Sequence, residues 1–470
     1  MVFDSFAFAA FFGVLFPLYL LCDHKRQNLL LLAASYFFYG FWSWKFLLLL
    51  IATNVVDFWC GIGLEHTENP RLRKLIVATT VVANMSALCF FKYFNFFAAN
   101  LQTLFGHFGL TIPEFALEVI LPYGISFYTF QEMTYVFDVY RRDVRAARKF
   151  TDFSLFVTFF PHLVAGPIMR AAKLLPQVLE PRVVTISKVS EGCWLFLWGL
   201  YKKVFVADNL ALLVDPVYQN PGAYSGPQIA VATYAFAFQI YGDFSGYSDM
   251  ARGLGRILGF DIIWNFNLPY FSASPSEFWR RWHISLSTWL RDNLYIPLGG
   301  NRKGRGREIT NLMVTMTLGG LWHGARWNFI LWGVYQGLLL VAERVWRLMR
   351  GDAPDKCSPM RRAFAIFVMF QFVCVGWLLF RAERALDIQR LLIGLLHGWD
   401  QLYRVVPMLK LLVQFAGLLV VLETVMYITS NRYVMQRWPV VVRFALYVIL
   451  YLCISMGGPQ SGRLFIYFQF

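Results

Sequence analysis

Charged residues are scarce in this chain of 470 residues. Asp, Glu, Lys and Arg make up only 15% of it, whereas 58% is hydrophobic and 18% is aromatic. A soluble domain carries about 25% charged residues, so the composition excludes an ordinary soluble protein. The chain also lacks a long linker, and its longest polar stretch, around Arg347–Arg362, is too short for a domain. We therefore expect a single membrane domain over residues 1–470, with no separate soluble domain.

Motifs for disulfides, metals and soluble hydrolases are also missing. The seven cysteines are odd in number and scattered, so they predict neither a disulfide framework nor a zinc site. No His-Glu-x-x-His run supports a zinc or haem site, and no serine stands in a Gly-x-Ser-x-Gly nucleophile elbow. The run "GLGRILG" at Gly253–Gly259 follows no strand and has the wrong spacing for a dinucleotide site. We expect no bound metal and no bound cofactor.

Long apolar runs take the place of these motifs. A spanning helix needs about 20 mostly apolar residues, and such runs recur along the whole chain, although several are short or broken by Gly and Pro. The pattern predicts an all-α polytopic membrane protein with roughly eleven spans or part-spans. They are Phe6–Leu21, Leu29–Phe41, Phe46–Ile62, Leu75–Phe91, Ile120–Val139, Gly192–Val206, Ile229–Tyr241, Leu312–Val341, Phe364–Phe380, Met408–Ile428 and Val440–Met456.

The formal net charge of +15 does not require nucleic acid as a partner, because the positions of the basic residues explain it. They gather in short loops between the apolar runs, for example "RRDVRAARK" at Arg141–Lys149 and "NRKGRGRE" at Asn301–Glu308. Cytoplasmic loops of membrane proteins are rich in Lys and Arg and face anionic lipid. Membrane lipid is therefore the expected partner of these charges. Lys25 and Arg26 follow Met1–Leu21, which favours an uncleaved first span with its N-terminus outside.

Two segments depart from plain spanning helices. "FFPHLVAGPIMR" at Phe159–Arg170 is broken by two prolines, which suits a re-entrant or kinked segment buried in protein. Ser274–Gly300 opens with helix-start signals: Ser274 or Ser276 as the cap, Pro275 in the first turn and Glu277 at capping-box spacing. Treated as one continuous helix, the segment is amphipathic and is expected in the interface or along a funnel. The segment contains Trp279, Trp282 and Trp289, and at helical spacing one face consists of Phe278, Trp282, Ser285 and Trp289.

The run "TLGGLWHGARWNFILWG" places His323 inside an apolar stretch. A strongly polar group near the bilayer centre costs about 2.5–3.5 kcal/mol, so such groups face the protein interior or a wet cavity. A neutral histidine can take a proton from a hydroxyl, which makes His323 a candidate base for acyl transfer to an alcohol. The alternative is a core histidine bonded to a backbone carbonyl or to Asn328. Gly320 and Gly324 favour the first interpretation, because they let a substrate or a neighbouring backbone come close.

Three further polar positions are candidates. His283 either orients a substrate, caps a polar network or lies in the membrane interface. Asp243 and Asp249 follow the apolar run "YAFAFQIY", where acids are costly. They either line the same cavity as His323 or pair with Arg252 and Arg256, and we leave both interpretations open at this point.

Several motifs together resemble a known family. They are "SFYTFQEMTYVFDVYR", "FPHLVAGPIMR", "YGDFSGYSDMARGLG", "EFWRRWHISLSTWLRDNLYIPLGGNR", "LGGLWHGARWNFILWG", "GWLLFRA" and the final "FIYFQF". In this order they resemble the membrane-bound O-acyltransferases, and most of all the alginate O-acetyltransferase branch. The resemblance implies a ring of helices around a tunnel in the inner membrane. It also implies that His323 is the active-site histidine and His283 the second histidine of the site.

The same resemblance implies substrates and partners. Acetyl-CoA is the expected cytoplasmic donor, and an extracytoplasmic serine-hydrolase-type acetyltransferase of an exopolysaccharide synthesis complex is the expected partner. The polymer is alginate or acetylated cellulose. Residues expected to attract the donor phosphates are Arg302, Lys303 and Arg305. Residues expected along the substrate tunnel are Trp322, Asn328, Trp279, Trp282, Asp243, Ser245, Tyr247 and His162.

Two other functions compete with the enzyme. Broken helices and intramembrane polar groups also occur in transporters and flippases, although no internal repeat is visible here. A scaffold subunit of an exopolysaccharide synthesis complex would leave the histidines merely structural. The scaffold hypothesis predicts that His323 tolerates substitution while loss of the whole protein does not.

Overall fold

The computed structural model describes residues 1–110, 119–350, 358–457 and 465–466, and within these ranges the chain is helical with no strand. The expectation of an all-α protein is therefore confirmed. The first ten helices are α1 (Phe6–Leu21), α2 (His24–Gly40), α3 (Trp44–His66), α4 (Pro70–Leu88), α5 (Phe94–His107), α6 (Ile125–Arg141), α7 (Phe150–Thr158), α8 (Phe160–Leu163), α9 (Ala171–Leu179) and α10 (Ile186–Leu200).

The second half of the chain adds ten more helices in the described residues. They are α11 (Asp208–Gln219), α12 (Gly226–Ile257), α13 (Pro275–Arg281), α14 (Ile284–Leu290), α15 (Arg305–His323), α16 (Trp327–Arg350), α17 (Pro359–Arg381), α18 (Ala385–Gly394), α19 (Val406–Ile428) and α20 (Val440–Gly457). Short π-helical turns lie at Cys89–Tyr93, Tyr201–Ala207 and Arg291–Tyr295.

Five helical segments of the described chain are long and apolar enough to cross a membrane: Trp44–His66, Pro70–His107, Pro359–Arg381, Trp399–Ile428 and Val440–Gly457. The apolar helix α1 is shorter. Large apolar side chains such as Leu48, Val82, Phe367, Val413 and Val441 are exposed on these segments, as lipid contact requires. The chain is a multi-pass membrane protein.

The contacts within the chain group it into two units, and the first consists of Met1–Phe196 and Met250–Ile263. Helices α3, α4 and α6 pack against one another in all three pairs. Gly61 of α3 allows this packing, because a Cβ there would overlap the ring of Tyr135 on α6. The segment Phe159–Arg170 belongs to this unit: α8 lasts four residues, and the chain is buried but non-helical from there to Met169. The expected break in this segment is thus present.

The second unit consists of Leu197–Asp249 and Trp264–Phe470, and its most closely packed pair of helices is α15 and α16. Two glycines make this contact possible. A Cβ at Gly320 would overlap the carbonyl oxygen of Phe329, and one at Gly333 would overlap the backbone at Met316. The glycines near His323 were predicted to let either a substrate or a neighbouring backbone come close. Gly320 has the second role, because it lets the backbone of α16 approach α15.

The segment Ser274–Gly300 also lies in this unit, and the prediction of one continuous helix there is wrong. The start signals hold, since the Ser274 hydroxyl accepts a hydrogen bond from the Glu277 amide (3.3 Å). Helix α13 nevertheless ends after seven residues, and α14 begins only after His283. His283 has φ 42°, in the left-handed region that a continuous right-handed helix excludes. Trp282 and Trp289 therefore do not share one helical face.

Candidate active site

His323 ends α15 and is enclosed by aromatic rings. Its side chain is buried, and its ring centroid lies 5.0 Å from that of Trp322, 5.0 Å from that of Trp332 and 5.4 Å from that of Phe380. Trp332 stands on α16 and Phe380 on α17, so three helices contribute to the enclosure. Apolar walls exclude water and strengthen polar interactions inside them. His323 thus faces the protein interior and not lipid.

Asn328 supports this enclosure from the start of α16. Its amide donates a hydrogen bond to the backbone carbonyl of Phe380 (2.9 Å), and its side chain is buried. This bond ties α16 to the end of α17 at the level of His323. Asn328 therefore holds the wall residue Phe380 in place against the histidine ring.

His283 is the second histidine at this place. Its ring centroid lies 6.4 Å from that of His323 and 5.8 Å from that of Trp322. Its side chain is 0% exposed, so His283 is part of a buried network and not an interface histidine. Burial lowers the pKa of His283 to about 3, which keeps its ring neutral at physiological pH.

Asn265 is the polar partner of His283. The Nδ1 atom of His283 lies 3.2 Å from the Oδ1 atom of Asn265, and the same oxygen accepts bonds from the Ser285 amide (3.3 Å) and hydroxyl (2.9 Å). An amide oxygen has no hydrogen to donate, so Nδ1 of His283 carries the hydrogen. The other ring nitrogen, Nε2, then has the lone pair.

Two tryptophans that were predicted to line the tunnel, Trp279 and Trp282, have different surroundings. Trp279 lies in α13, and Trp282 follows the last residue of that helix. Trp282 is fully buried, with ring centroids of Trp377 at 4.7 Å and Phe266 at 4.9 Å. Trp279 contacts the ring of Trp332 at 5.8 Å, and Trp332 contacts His323. Trp282 is therefore a core residue, whereas Trp279 stands one aromatic ring away from His323.

Trp279 also lines a cavity of about 340 Å³ bounded by α13, α14, α15 and α16. This volume suits part of a small ligand. The apolar wall includes Met316, from which His323 lies two helical turns further along α15. The lining residues are Ser276, Trp279, Ser287, Leu290, Arg291, Tyr295, Asn301, Glu308, Leu312, Thr315, Met316, Leu340, Glu343, Arg344 and Arg347.

Charged side chains gather in the part of the cavity near the start of α15. Arg344 pairs with Glu308 (3.0 Å), and Arg347 pairs with Glu343. The predicted phosphate-attracting residues are exposed in the adjoining loop and at the first residue of α15; they are Arg302, Lys303 and Arg305. Asn301 of the same loop lines the cavity. The loop therefore reaches the cavity wall through Asn301, whereas Arg302, Lys303 and Arg305 are not among the lining residues.

The acids of α12 pair with lysines, which excludes the pairing with Arg252 and Arg256 that the sequence left open as one of two interpretations. Asp243 lies 2.8 Å from Lys203, and Asp249 lies 2.6 Å from Lys202. A buried carboxylate needs a buried counter-charge, and the π-helical turn Tyr201–Ala207 provides both lysines. Within the first unit the two arginines pair instead with other acids, Arg252 with Asp261 (3.1 Å) and Arg256 with Glu191 (3.0 Å).

The same stretch of α12 carries two other predicted tunnel residues. The Ser245 hydroxyl accepts a hydrogen bond from Lys202 (2.8 Å), and Tyr247 contacts the ring of Phe465 at 5.1 Å. Phe244, which precedes Ser245, contacts His283 at 4.7 Å. This stretch therefore contacts both the buried lysine pairs and the neighbourhood of the histidines.

His162 belongs to the first unit. Its side chain is buried, its ring centroid lies 5.8 Å from that of Phe159, and burial lowers its pKa to about 4. A place for His162 along the substrate path stays a prediction.

The sequence analysis missed several residues around the histidines, namely Asn265, Lys202, Lys203, Trp332, Trp377 and Phe380. The adjacent lysines interrupt an apolar run, "LYKKVF", and that interruption was a usable signal. Trp377 and Phe380 lie within "GWLLFRA", which the resemblance already singled out. Asn265 gave no local signal, because its role depends on residues close in space but distant in sequence.

Comparison with known proteins bears on this site. The sequence model of the family described as MBOAT, membrane-bound O-acyltransferase family, matches residues 37–380. A protein of Azotobacter vinelandii named probable alginate O-acetylase AlgI is 46% identical over 391 residues, which cover 83% of this chain and 76% of that protein. The protein of the same name from Pseudomonas putida is 45% identical, with 82% and 78% covered.

A more distant relative has a different substrate in its name. The peptidoglycan O-acetyltransferase of Helicobacter pylori is 35% identical over 399 residues, which cover 78% of this chain and 74% of that protein. The family match includes both histidines, the cavity and the aromatic enclosure of His323. The chain belongs to the membrane-bound O-acyltransferase family and is an acyltransferase.

Proposed function

We propose that the chain takes acetyl groups from acetyl-CoA on the cytoplasmic side and moves them across the membrane for O-acetylation of an exopolysaccharide. The observation that carries this proposal is the pair of buried histidines 6.4 Å apart in an aromatic enclosure. A general base and a polar partner in a water-poor pocket suit acyl transfer, because a thioester there meets the acceptor hydroxyl and not water. The names of the relatives supply the acetyl group.

The chemical step follows from these side chains. His323 takes the proton of the acceptor hydroxyl, whose oxygen attacks the carbonyl carbon of the acetyl thioester. The carbon–sulfur bond breaks, and the departing thiolate recovers a proton from the His323 imidazolium. In the second form of this step the ring nitrogen of His323 attacks the thioester, the carbon–sulfur bond breaks and the thiolate leaves. The acceptor hydroxyl then takes the acetyl group from the imidazole, and its proton goes to the thiolate. His283 stands close enough to orient the reacting groups through its ring nitrogen.

The cavity beside Trp279 is the proposed donor route. It adjoins the loop Asn301–Arg307, whose basic charge favours a position on the cytoplasmic side. Arg302, Lys303 and Arg305 would attract the donor phosphates from solution. The apolar wall that includes Met316 would then guide the acyl-bearing end toward His323.

The proposed membrane arrangement is roughly eleven spans of the inner membrane in a ring around a tunnel. Five segments are apolar enough to span by composition alone. Helices α12, α15 and α16 are also long enough, at 32, 19 and 24 residues, and they carry buried polar side chains. Such side chains are expected on helices that face a tunnel instead of lipid.

The proposed acceptor pathway ends outside this chain. We place the final transfer on an extracytoplasmic serine-hydrolase-type acetyltransferase within an exopolysaccharide synthesis complex. Two relatives are named for alginate, which makes alginate the first polymer to examine. Acetylated cellulose is the second, and peptidoglycan is the polymer in the name of a more distant relative.

The test measures polymer-bound acetate in a host strain that lacks the chromosomal copy and carries the wild-type or a variant gene. We expect His323→Ala to reduce polymer acetate by about 10²-fold or more at unchanged polymer yield and unchanged protein level in the membrane. His66→Ala is the matched control, because His66 is an exposed histidine at the end of α3. Normal acetate in His323→Ala would mean that this histidine is structural, and a transport or scaffold role would then be the better explanation.

A further inference from the structure

Asn265 lies in the segment between α12 and α13 and bonds to three consecutive residues at the start of α14. Its backbone carbonyl accepts from the Ile284 amide (2.8 Å). Its side-chain Oδ1 faces Nδ1 of His283 (3.2 Å) and accepts from Ser285 (3.3 and 2.9 Å). All of these side chains are buried except that of Ile284, which is partly exposed. One asparagine thus holds the segment that carries His283.

The hydrogen bonds also settle which end of the Asn265 amide faces His283. The Nδ2 atom donates to the Ser248 hydroxyl on α12 (3.3 Å). If the amide were rotated by 180°, its NH₂ group would face the Ser285 backbone N–H, donor against donor. The oxygen therefore faces His283, and the His283 hydrogen sits on Nδ1.

The backbone of His283 needs this support. At φ 42° and ψ 54° the residue occupies the left-handed region, which is unfavourable for a residue with a Cβ. His283 precedes α14 without a side-chain cap of its own. Asn265 provides the cap from a distance, by accepting from the first backbone amides of α14. Strain that the surroundings hold in place is typical of functional sites.

We propose that Asn265 is a positioning residue that holds His283 in its Nδ1–H tautomer and leaves Nε2 as the basic nitrogen beside the reacting groups. This proposal rests on the proposed function of the two histidines. An amide suits the task because it accepts a hydrogen bond without adding a charge. A carboxylate in the same place would still accept from Nδ1 but would favour the imidazolium form of His283, which lowers the share of rings with a lone pair on Nε2.

The ring of His283 is held on its faces as well. Phe244 meets it edge-on at 4.7 Å, and Trp322 lies at 5.8 Å. With one ring nitrogen bonded to Asn265 and aromatic rings on its faces, the imidazole has one orientation relative to His323. Without the Asn265 oxygen, neither the tautomer nor the orientation of the His283 ring would be fixed, whereas its aromatic contacts would remain.

The first test compares polymer-bound acetate for wild-type, Asn265→Ala and Asn265→Asp proteins at matched membrane levels. We expect Asn265→Ala to lose about 10-fold or more of the acetate, and Asn265→Asp to recover part of it, because a carboxyl oxygen can still accept from Nδ1. Asn209→Ala is the matched control: Asn209 is a buried asparagine of the same unit that donates to the carbonyls of Phe205 and Gly457. Normal acetate in Asn265→Ala, or an equal loss of acetate in Asn265→Ala and Asn209→Ala, would overturn the proposal.

The second test needs no catalytic activity. Proteins labelled with ¹⁵N-histidine are reconstituted in lipid, and the His283 signals are identified from their disappearance in His283→Ala. We expect the wild-type shifts of a neutral Nδ1–H ring, and a mixture with the Nε2–H tautomer in Asn265→Ala. Unchanged shifts in Asn265→Ala would overturn the proposal. If polymer acetate proved independent of His323, the proposed function would fail, and this measurement would still decide what Asn265 does to His283.

Discussion

His283 and His323 lie with ring centroids 6.4 Å apart although 40 positions separate them in the sequence. They reach this distance because α15 ends at His323, while the chain turns through a left-handed residue at His283. Trp322 contacts both rings, at 5.8 and 5.0 Å. The two histidines are therefore brought together by the end of α15 and by the left-handed turn at His283, and both of their rings contact Trp322.

Because the backbone of His283 is left-handed, two substitutions can separate the role of its imidazole from the role of its backbone. We expect His283→Ala and His283→Gly to lose polymer acetate alike, because both lack the imidazole. His283→Gly should nevertheless be more stable than His283→Ala by about 1 kcal/mol, since glycine adopts positive φ without a Cβ clash. Thermal unfolding of the two purified proteins in detergent measures the difference. An alanine variant as stable as the glycine variant would show that the turn relaxes when the imidazole is gone.

Gly320 tests the close packing of α15 on α16. A Cβ at this position would overlap the carbonyl oxygen of Phe329, so Gly320→Ala must push the two helices apart. We expect a loss of about 2–3 kcal/mol of stability and a fall in acyl transfer, because His323 lies one turn further along α15. Thermal unfolding and polymer acetate provide the two measurements.

Gly306→Ala is the control for this substitution, since Gly306 lies in the first turn of the same helix with no atom near its would-be Cβ. This variant should be as stable as the wild type or slightly more stable. Equal behaviour of the two variants would mean that α15 and α16 can separate at Gly320 without cost.

The bounds of α1 and the start of α13 could be predicted from the sequence, because they depend on local signals, whereas the predicted run Leu312–Val341 is divided between α15 and α16. Ser274, Pro275 and Glu277 predicted the start of α13. The apolar run around His323 predicted that this histidine faces the protein interior. The break at His283 could not be predicted, because it is held by Asn265, 18 positions earlier. The partners of Asp243 and Asp249 were missed for the same reason, since the lysines come from another helix.

Lys203 provides a test of the buried charges whose partners the sequence analysis left open. It lies 2.7 Å from Asp208 and 2.8 Å from Asp243, and all three side chains are buried. We expect Lys203→Met to cost about 3–5 kcal/mol, because two buried carboxylates lose their counter-charge. The protein level in the membrane and the thermal midpoint should both fall.

A charge-compensated variant completes this experiment. The triple variant Lys203→Met, Asp208→Asn, Asp243→Asn removes the whole buried ion cluster and should recover most of the lost stability. If Lys203→Met alone were as stable as the wild type, the two carboxylates would not depend on Lys203 for their charge balance.

Substitution of Met316 by a larger side chain tests the proposed donor route. It lines the cavity of about 340 Å³, and a tryptophan in its place would occupy part of that volume. We expect Met316→Trp to reduce polymer acetate by about 10-fold or more, because the donor must pass this wall to reach His323, two turns away. Overpacking costs about 1–3 kcal/mol, so membrane levels are measured alongside. Val314→Trp is the matched control, since Val314 lies two residues earlier on α15 and is exposed. Normal acetate in Met316→Trp at normal protein level would exclude this cavity as the route of the donor, whereas loss in both variants would point to α15 itself as intolerant of a tryptophan.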